Sequence, residues 1–520
     1  MSSDLLGRDQ ASELTAYDGM TIADIRIDNR NIYDTRQPRY GGFLYRTANR
    51  FHFVTRPEIV RRELLFAPGE PFSSETAEET ARNLRARLAV NDAWIEVTPA
   101  GDGQVNVTVI TVDQWSLLGG LRSFSREGGV TDFRVGLEDR NLLGRARFAS
   151  LDYSVRGRDP NFVTAAFREP RLLSRRLAFG FDYRSDPYNT LRTVSVGRPF
   201  YDLAQRFTFD IDLSWTAARQ LRFNDRGDSL AQWHTAGDIM EADIGYRLGP
   251  YHRKLTFLVA YKYLYQAVSG RLVWPPEPYA AADFPVDSVY HMFSLGASYG
   301  VRYFIVEKRI NGFDVNEDFT TGVEGEGQYG RALAPDFDDN LYDFFGARVS
   351  TAFKLKANLF QAAYARSFWF KNSAYSRRLT EFTLAAYNNS LSFVTLALRS
   401  YYAADKGDDA HRLVLGGKSG LRGYATETAS GNRLHVINLE GRFFWGLEIL
   451  SVKLGSAVFA DLGRTWSRGE AVAIRDYRAS VGAGLRFSFE RFTRNELVRM
   501  DAAYIGRGEW ELSVSTGQYF

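Results

Sequence analysis

The chain contains no cysteine and only 6 histidines among its 520 residues. The absence of cysteine excludes disulfides, thiolate metal sites and cysteine nucleophiles. The histidines are scattered and form no H-E-x-x-H or comparable metal-ligand spacing. No run of the sequence approaches the ~18 apolar residues of a membrane-spanning helix. The formal net charge is only +3, so the charge balance by itself identifies no partner.

Aromatic residues and glycine, by contrast, are abundant: the chain has 28 Tyr, 38 Phe and 45 Gly, while charged residues make up 24%. This mixture is too polar for a helical membrane protein and unusually aromatic for a soluble enzyme. Residues 325–330 have the G-x-G-x-x-G form of a dinucleotide site, but no helical pattern follows them. We find no nucleophile beside a base in a supporting context. We therefore expect no enzyme activity, cofactor, metal site or nucleic-acid partner.

The N-terminal part of the chain predicts a small α+β domain over residues 21–113, after a linker or disordered segment at 1–20. Thr55 and Glu58 have the spacing of a capping box at the start of a first helix. A second helix follows Ser73-Ser74, and its apolar stripe is Ala77, Ala81, Leu84 and Leu88. Two alternating strands come next, which gives the order strand, helix, helix, strand, strand. Residues 28–54, rich in Arg and Tyr, remain unassigned.

From residue 114 onward the sequence is nearly all strand. In RFTFDIDLSW, for example, Phe207, Phe209 and Ile211 share one face while polar residues take the other. Short turns alternate with longer polar connections, which is typical of a transmembrane β-barrel whose strands need ~9–11 residues to cross the bilayer. We therefore predict a mostly β fold, with a transmembrane antiparallel barrel over 114–520. We expect 16 strands, within a tally of 16 to 20 that depends on whether 340–371 is divided.

Three motifs stand out within this region. The first is Leu421-Arg422-Gly423-Tyr424, which follows the glycine-rich stretch GGKSG in a long loop around 404–432. The second has the form F-x-D-x-G and contains Phe459, Asp461 and Gly463. The third is an N-x-E-x-R-F strand with Asn438, Glu440 and Arg442. The chain ends in an alternating strand on which Trp510, Leu512, Val514 and the terminal Phe520 share a face.

Together these motifs resemble those of the BamA/TamA-like outer-membrane barrel superfamily, whose members carry periplasmic POTRA domains before the barrel. The resemblance implies a POTRA-like periplasmic domain over 21–113 and a barrel in the outer membrane of a Gram-negative bacterium. It also implies that the loop folds into the lumen, where Arg422 pairs with Asp461 through a charge-assisted hydrogen bond. Glu440 and Arg442 point inward by alternation, either to dock the loop or as an ordinary charge ladder. The terminal Phe520 resembles the recognition signal of such barrels.

The resemblance also implies a function. In this family the first and last barrel strands pair weakly, so that a client strand can add to the open seam. Here the seam would lie between residues 115–126, where Gly119 and Gly120 weaken the strand, and residues 510–520. This predicts an assembly or translocation factor for outer-membrane proteins; the alternative is a transporter of lipid or of one secreted protein. The expected partners are outer-membrane lipids, unfolded or secreted client proteins, and a periplasmic partner at the N-terminal domain.

Overall fold

The structure is a computed structural model, and it describes most of the chain. The described residues are 13–127, 130–156, 162–185, 189–223, 229–273, 287–333, 341–407, 413–416, 420–424, 429–467, 469–470, 472–492, 497–506 and 508–520. In this part of the chain no helix is both long enough and apolar enough to cross a membrane.

The secondary structure divides into an N-terminal group and a long series of strands. The first group is β1 (Thr21–Arg30), α1 (Phe43–Phe51), α2 (Pro57–Glu63), α3 (Ser74–Arg87), β2 (Val90–Gly101) and β3 (Gln104–Asp113). The strands that follow are β4 (Leu117–Glu127), β5 (Val130–Asp139), β6 (Phe148–Arg156), β7 (Phe162–Glu169), β8 (Ala178–Ser185), β9 (Asn189–Arg198), β10 (Phe207–Phe223), β11 (Ser229–Leu248), β12 (Arg253–Val273), β13 (Ser288–Glu307), β14 (Glu317–Leu333), β15 (Leu341–Leu355), β16 (Asn358–Lys371), β17 (Ala374–Leu391), β18 (Val394–Gly407), β19 (Leu413–Leu415), β20 (Ala429–Gly431), β21 (Arg433–Ile449), β22 (Val452–Trp466), β23 (Arg478–Ser488), β24 (Leu497–Tyr504) and β25 (Trp510–Thr516).

The N-terminal domain is a three-stranded sheet with helices packed against it. The strand order is β1-β3-β2, with β1 parallel and β2 antiparallel to β3. Val105, Val107 and Val109 are fully buried, as their alternation predicts, and they pack against the buried side of α3. Leu14 also belongs to this core, so the domain includes residues ahead of the expected boundary at 21.

Of the two predicted helix starts in the N-terminal domain, the structure differs from the prediction at the first. α2 begins at Pro57 after Arg56, with no side-chain cap, so the predicted capping box at Thr55 is wrong. The backbone N–H of Thr55 instead donates to Asp113 Oδ2 at 2.6 Å. At α3 the predicted start is confirmed, because Ser73 caps the helix by accepting a hydrogen bond from the backbone N–H of Thr76.

The remaining strands form a closed antiparallel barrel of 20 strands, made of β4 to β18 and β21 to β25. The mostly β, barrel-forming prediction is confirmed, and the expected number of 16 strands is wrong. The region 340–371 contains two strands, β15 and β16, joined by a tight turn. The undercount arises because several strands between β4 and β9 are only 8 to 10 residues long. β19 and β20 form a separate two-stranded hairpin inside the long loop.

The barrel is apolar outside and polar inside. On β22, for example, Val458 and Leu462 are exposed, whereas Phe459 and Asp461 are buried toward the lumen. Closure satisfies the backbone groups between strands, which is what a β-structure needs to cross a bilayer. The exposed apolar band is what such a barrel presents to lipid. The molecule is therefore built as a transmembrane barrel.

Strand length varies systematically around the ring. β23, β24, β25 and β4 to β9 are 7 to 11 residues long, and we call this arc the seam wall. β10 to β18, with β21 and β22, are 14 to 21 residues long, and we call this arc the far wall. The first and last barrel strands, β4 and β25, meet within the seam wall, with three of its strands on one side of the junction and six on the other.

Candidate functional site

The long loop between β18 and β21 folds back into the lumen. Its β19–β20 hairpin contacts the lumen side of β21 and β22. Leu421 is fully buried in an apolar cluster with Leu415 of β19 and with three residues of the surrounding wall, Ala403, Leu434 and Val436. Tyr424 donates from its hydroxyl to the carbonyl of Ala479 on β23 at 3.1 Å. These contacts fix the loop on both sides of Arg422.

Arg422 forms a paired hydrogen bond with Asp461 on β22. Its Nε lies 2.8 Å from Asp461 Oδ2 and its Nη2 lies 2.9 Å from Oδ1. The backbone N–H of Arg422 also donates to Oδ2 at 3.2 Å. Both side chains are buried. A planar guanidinium matches a carboxylate in this two-point geometry, and a lysine cannot reproduce it.

The other groups around Arg422 complete its environment. Nη1 donates to Glu440 Oε1 at 3.2 Å. The guanidinium lies between two rings, with its Cζ 3.6 Å from the centroid of Phe459 and 4.1 Å from that of Tyr519. Asn438 Nδ2 donates to Asp461 Oδ1 and to the carbonyl of Gly420, both at 2.8 Å. The strand residue Asn438 therefore holds the carboxylate and the loop backbone together.

Glycines make room for this arrangement. Gly423 has φ +84°, a conformation that L side chains rarely adopt, and a Cβ there would lie 2.6 Å from Ile505 Cγ2. A Cβ at Gly482 would lie 2.4 Å from Cζ of Phe459, and one at Gly463 would lie 2.8 Å from Leu415 Cδ1. The glycines of the loop and of the lumen wall are thus part of the docking surface.

Further arginines extend the site toward the seam wall. Glu440 accepts from Arg442 Nε at 3.0 Å and from Arg486 Nη2 at 2.8 Å. Arg486 Nη1 in turn donates to Asp501 Oδ1 at 2.6 Å. Every one of these side chains is buried. Ionised groups remain in such a place only when they compensate each other, as these arginines and carboxylates do.

Arg486 and Asp501 are functional candidates that sequence reasoning missed. The alternation of SVGAGLRFSF places Arg486 on the polar face of its strand, so its inward direction is readable from the sequence. Its partners lie on other strands, Glu440 on β21 and Asp501 on β24. Those pairings depend on the register between strands, which a single sequence does not specify.

The last four residues turn into the lumen and are held by the same arginines. β25 ends at Thr516, and Gly517 has φ +73°. Arg499 Nη1 donates to the Gly517 carbonyl at 3.3 Å, and Arg486 Nε donates to Gln518 Oε1 at 3.3 Å. The Arg422 guanidinium lies over the Tyr519 ring. Arg442 Nη2 donates to the Phe520 carbonyl at 2.8 Å.

The tail corrects the prediction for Phe520. Trp510, Leu512 and Val514 share an outward face, but the turn at Gly517 removes Phe520 from it. The Phe520 ring instead packs against Ile310 and a cluster of the far wall formed by Leu359, Ala385, Tyr387 and Ala397. The alternation of inward and outward side chains ends at Gly517, which has a positive φ. Counting every second residue from Trp510 therefore does not predict where the Phe520 side chain lies.

The junction between β25 and β4 differs from the rest of the ring. β24 and β25 pair continuously from Tyr504 opposite Trp510 to Val498 opposite Thr516. The ring closes between β25 and β4, which are neighbours in the hydrogen-bonded order of the barrel. Every residue of β25 is exposed, with Trp510 at 66%, Leu512 at 81% and Val514 at 66%. The side chains of β25 therefore make few packing contacts with the rest of the barrel.

The charged groups of the site position segments of the chain. The three carboxylates of Asp461, Glu440 and Asp501 all accept hydrogen bonds or ion pairs from arginine. Within the described residues no cluster of His, Cys, Asp or Glu could hold a metal ion. What these groups do is tie the loop, two lumen strands and the C-terminal tail into one unit beside the seam.

Comparison with known proteins gives only distant structural similarity. No family model matches the chain, and no curated protein matches it in sequence. A solved structure of BamA from Haemophilus ducreyi lacking POTRA domains 1–3 is similar at 14% identity, with 96% of this chain and 84% of that chain covered and a TM-score of 0.37. CdiB from Escherichia coli is similar at 13% identity, with 96% and 76% covered and a TM-score of 0.44.

Proposed function

We propose that this protein is an outer-membrane factor that inserts or translocates client proteins through the seam between β4 and β25. The observation that carries the proposal is that β25, at its junction with β4, is only seven residues long and has exposed side chains on both faces. A client strand that takes the place of β4 beside β25 gains backbone hydrogen bonds and needs little specific sequence. This reaction is noncovalent, so it needs no cofactor or catalytic residue.

The position of the N-terminal domain fits this proposal. Arg85 on α3 forms an ion pair with Asp318 on β14, with Nε 2.8 Å from Oδ2. Asn316 Nδ2 donates to Asp92 on β2 at 3.0 Å. The domain is thereby tied to one end of the barrel, which we place on the periplasmic side of a Gram-negative outer membrane. There it would act as a POTRA-like domain that receives clients or a periplasmic partner.

A second candidate function is transport of lipid or of one dedicated secreted protein. A cavity of about 1140 Å³ lies between the N-terminal domain and the end of the barrel. Its wall combines aromatic residues such as Phe304 and Trp445 with basic residues such as Arg82, Lys308 and Lys354. A mixed lining of this kind would accommodate an amphipathic molecule on its way to the lumen or the seam.

Depletion of the protein distinguishes the two functions. We would quantify the outer-membrane proteome and the outer-leaflet lipid in the same cells after depletion. Loss of several unrelated barrel proteins with unchanged lipid is the result expected for an assembly factor. Lipid disturbance with normal barrel levels, or loss of one secreted protein alone, would contradict it and support the transporter.

A further inference from the structure

Helix α1 has an apolar outer face that nothing in the described structure covers. Tyr45 and Ala48 face inward, against the buried cluster of Ile32, Tyr33 and Tyr40. On the opposite side Phe43, Leu44 and Phe51 are 76%, 61% and 69% exposed. Phe43, Thr47 and Phe51 follow the i, i+4, i+8 spacing of one helix face, and Leu44 lies beside them. The segment left unassigned by the sequence is therefore an amphipathic helix whose apolar side points outward.

The inner face of α1 is fixed, so the direction of the apolar face is fixed as well. Asn49 Nδ2 donates to the carbonyl of Tyr33 at 2.7 Å, and the backbone N–H of Tyr33 donates to Asn49 Oδ1 at 3.1 Å. The rings of Tyr33, Tyr40 and Tyr45 pack together with centroid distances of 4.9 to 5.4 Å. The helix cannot turn its apolar side inward without breaking these contacts.

The segment is attached to the barrel on both sides of the seam. On one side, Asn141 Nδ2 in the β5–β6 turn donates to the carbonyl of Phe53 at 3.2 Å. The backbone N–H of Arg56 donates to the carbonyl of Gly144 in the same turn at 2.9 Å. On the other side, Arg491 in the β23–β24 turn donates from Nη1 to the carbonyl of Ile32 at 2.7 Å. Helix α1 thus lies at the rim of the barrel, beneath the seam wall.

Exposed apolar residues of the rim continue the face of α1. Phe53, just after the helix, is exposed, and so is Leu143 in the β5–β6 turn to which it is bonded. Leu173, in the next turn on the same side of the barrel, is exposed too. Exposed apolar side chains are thus present on the helix, in the segment after it and in two turns that end the lipid-facing strands. This is the level at which a bilayer surface meets a barrel.

The charged residues of the segment around α1 are all of one sign. Between Thr35 and Pro57 the sequence has five arginines and no acidic residue. Two of them, Arg46 and Arg50, are exposed on α1 beside the apolar stripe. A helix with aromatic and leucine residues on one side and arginines flanking them is the type that lies in a membrane surface, with the cations at the lipid phosphates.

We propose that α1 is a membrane-binding helix that lies in the phospholipid leaflet at the N-terminal-domain end of the barrel, directly beneath the seam. Phe43, Leu44 and Phe51 enter the acyl boundary, and Arg46 and Arg50 contact headgroup phosphates. The occupant is lipid and not a protein partner, because the helix is bonded to the rim at a turn that also exposes an apolar side chain and because the charge that flanks the apolar stripe is entirely basic. The helix would hold the N-terminal domain against the membrane at the place where a client strand enters.

The absence of cysteine makes a direct test simple. We would place a single cysteine in the full chain at Leu44→Cys or Phe51→Cys, label it with an environment-sensitive fluorophore, and reconstitute the protein in vesicles of phosphatidylethanolamine and phosphatidylglycerol. The matched control is Thr98→Cys, an exposed position of the same domain. We expect a blue-shifted emission at 44 and 51, quenching by lipids spin-labelled near the headgroup, and an iodide quenching constant about fivefold lower than at 98.

Two outcomes would overturn the proposal. One is that probes at 44 and 51 behave like the probe at 98. The other is protection from iodide without quenching by the spin-labelled lipid, which would show that a protein surface covers the helix. A Phe43→Ser/Phe51→Ser variant, carrying the probe at Leu44→Cys, removes exposed rings only and is expected to fold normally while the lipid quenching is lost. Retained quenching in that variant would also contradict the assignment.

Discussion

The seam wall and the far wall of the barrel are held together by different means. In the far wall, long strands form long ladders; β11 and β12, for example, pair from Leu248 opposite Leu255 to Ala231 opposite Val273. In the seam wall, the ladder between β24 and β25 runs only from Val498 to Tyr504. Each lost backbone pair removes a hydrogen bond and the cross-strand contacts that accompany it.

Side chains replace part of what the short ladders lack. The buried arginines of the lumen hold the tail that follows β25, through contacts with residues 517 to 520. Arg422 brings the long loop into the same unit. The far wall is thus joined by long backbone ladders, whereas the seam wall combines shorter ladders with buried arginine contacts to the tail that follows β25.

The largest effect is expected for Arg422→Ala. This change removes the side chain that joins the loop to Asp461 on the lumen wall and to Tyr519 in the tail. The change leaves Asp461 and Glu440 buried without this partner, and removing one member of a buried pair typically costs about 3–5 kcal/mol. We expect the barrel to insert but the loop to leave the lumen and activity to fall. The measurement is protease access to residues 413–424 in intact cells.

A far-wall pair provides the matched control for that change. Lys262 and Glu241 form an exposed ion pair between β12 and β11, and exposed pairs contribute little. Lys262→Ala should therefore leave loop access and activity unchanged. If Arg422→Ala also leaves both unchanged, the docking role of the pair is refuted.

Gly423→Ala should give the next largest effect. The added methyl group meets Ile505 and Ala503, and the residue must keep φ +84°; strain of this kind costs about 1–3 kcal/mol. We expect faster hydrogen exchange in β24 and β25 than in the unchanged protein. Gly325→Ala on β14 is the control, since a Cβ there meets nothing within 4 Å. Equal exchange for both variants would argue against a tight fit at Gly423.

Tyr519→Ala tests the link between loop and tail with a smaller change. It removes one of the two rings that sandwich the Arg422 guanidinium, and a cation–ring contact is worth about 0.5–2 kcal/mol. We expect faster hydrogen exchange in residues 510–520, with β11 and β12 unaffected. Trp510→Ala, which removes an outward ring from the same strand, should not reproduce the release of the tail.

A separate effect, which depends on pH, concerns the joint between the N-terminal domain and β4. Burial raises the pKa of Asp113 to about 7, against hydrogen bonds from Thr55 that lower it. The folded domain therefore binds the proton more tightly than the unfolded chain, whose Asp pKa is about 3.9. Its stabilising effect is complete below the unfolded pKa and is lost as the pH rises through about 7.

Asp113→Asn should remove the loss of stability that the N-terminal domain undergoes as the pH rises through about 7. All the described α-helices, α1 to α3, lie in the N-terminal domain, so helical circular dichroism of the heated full chain in detergent reports on that domain. Burial also lowers the pKa of His52, whose Nε2 lies 3.9 Å from Asp113 Oδ2, so the difference between the two proteins reports on this buried pair. We expect the difference to grow between pH 5 and pH 8. A pH-independent difference would contradict the buried-acid interpretation.

Much of the lumen site can be read from the sequence, because it depends on local alternation and on motifs. Asp461 and Phe459 lie on the inward face of β22, as the alternation of polar and apolar residues along the strand predicts. The motif residues Arg422 and Asp461, assigned to each other by resemblance, are in contact. Glu440 and Arg442 point inward as well and join the network around the loop. The inward directions of the strand residues need only a strand period of two, whereas the pairing of Arg422 with Asp461 depends on the resemblance of the motifs.

The remaining features depend on contacts between segments far apart in the chain. The partners of Arg486 lie 46 and 15 residues away, and the turn of the tail depends on arginines from three other strands and the loop. Helix α1 could not be predicted from its pattern of apolar residues, because it is only nine residues long and its apolar face points outward. The strand count fails for a similar reason, since short strands in the seam wall carry little periodicity each.

The most direct test of the account is a disulfide across the seam. Leu118→Cys on β4, combined with Ser513→Cys or Ser515→Cys on β25, introduces the only two cysteines of the chain on the inward faces of the two edge strands. The control is Ala363→Cys with Thr383→Cys, which face each other across β16 and β17 in the far wall. We predict that the oxidised seam pair stops client insertion, that reduction restores it, and that the far-wall pair has no effect. Full activity of the oxidised seam pair would contradict the central claim that clients enter between β4 and β25.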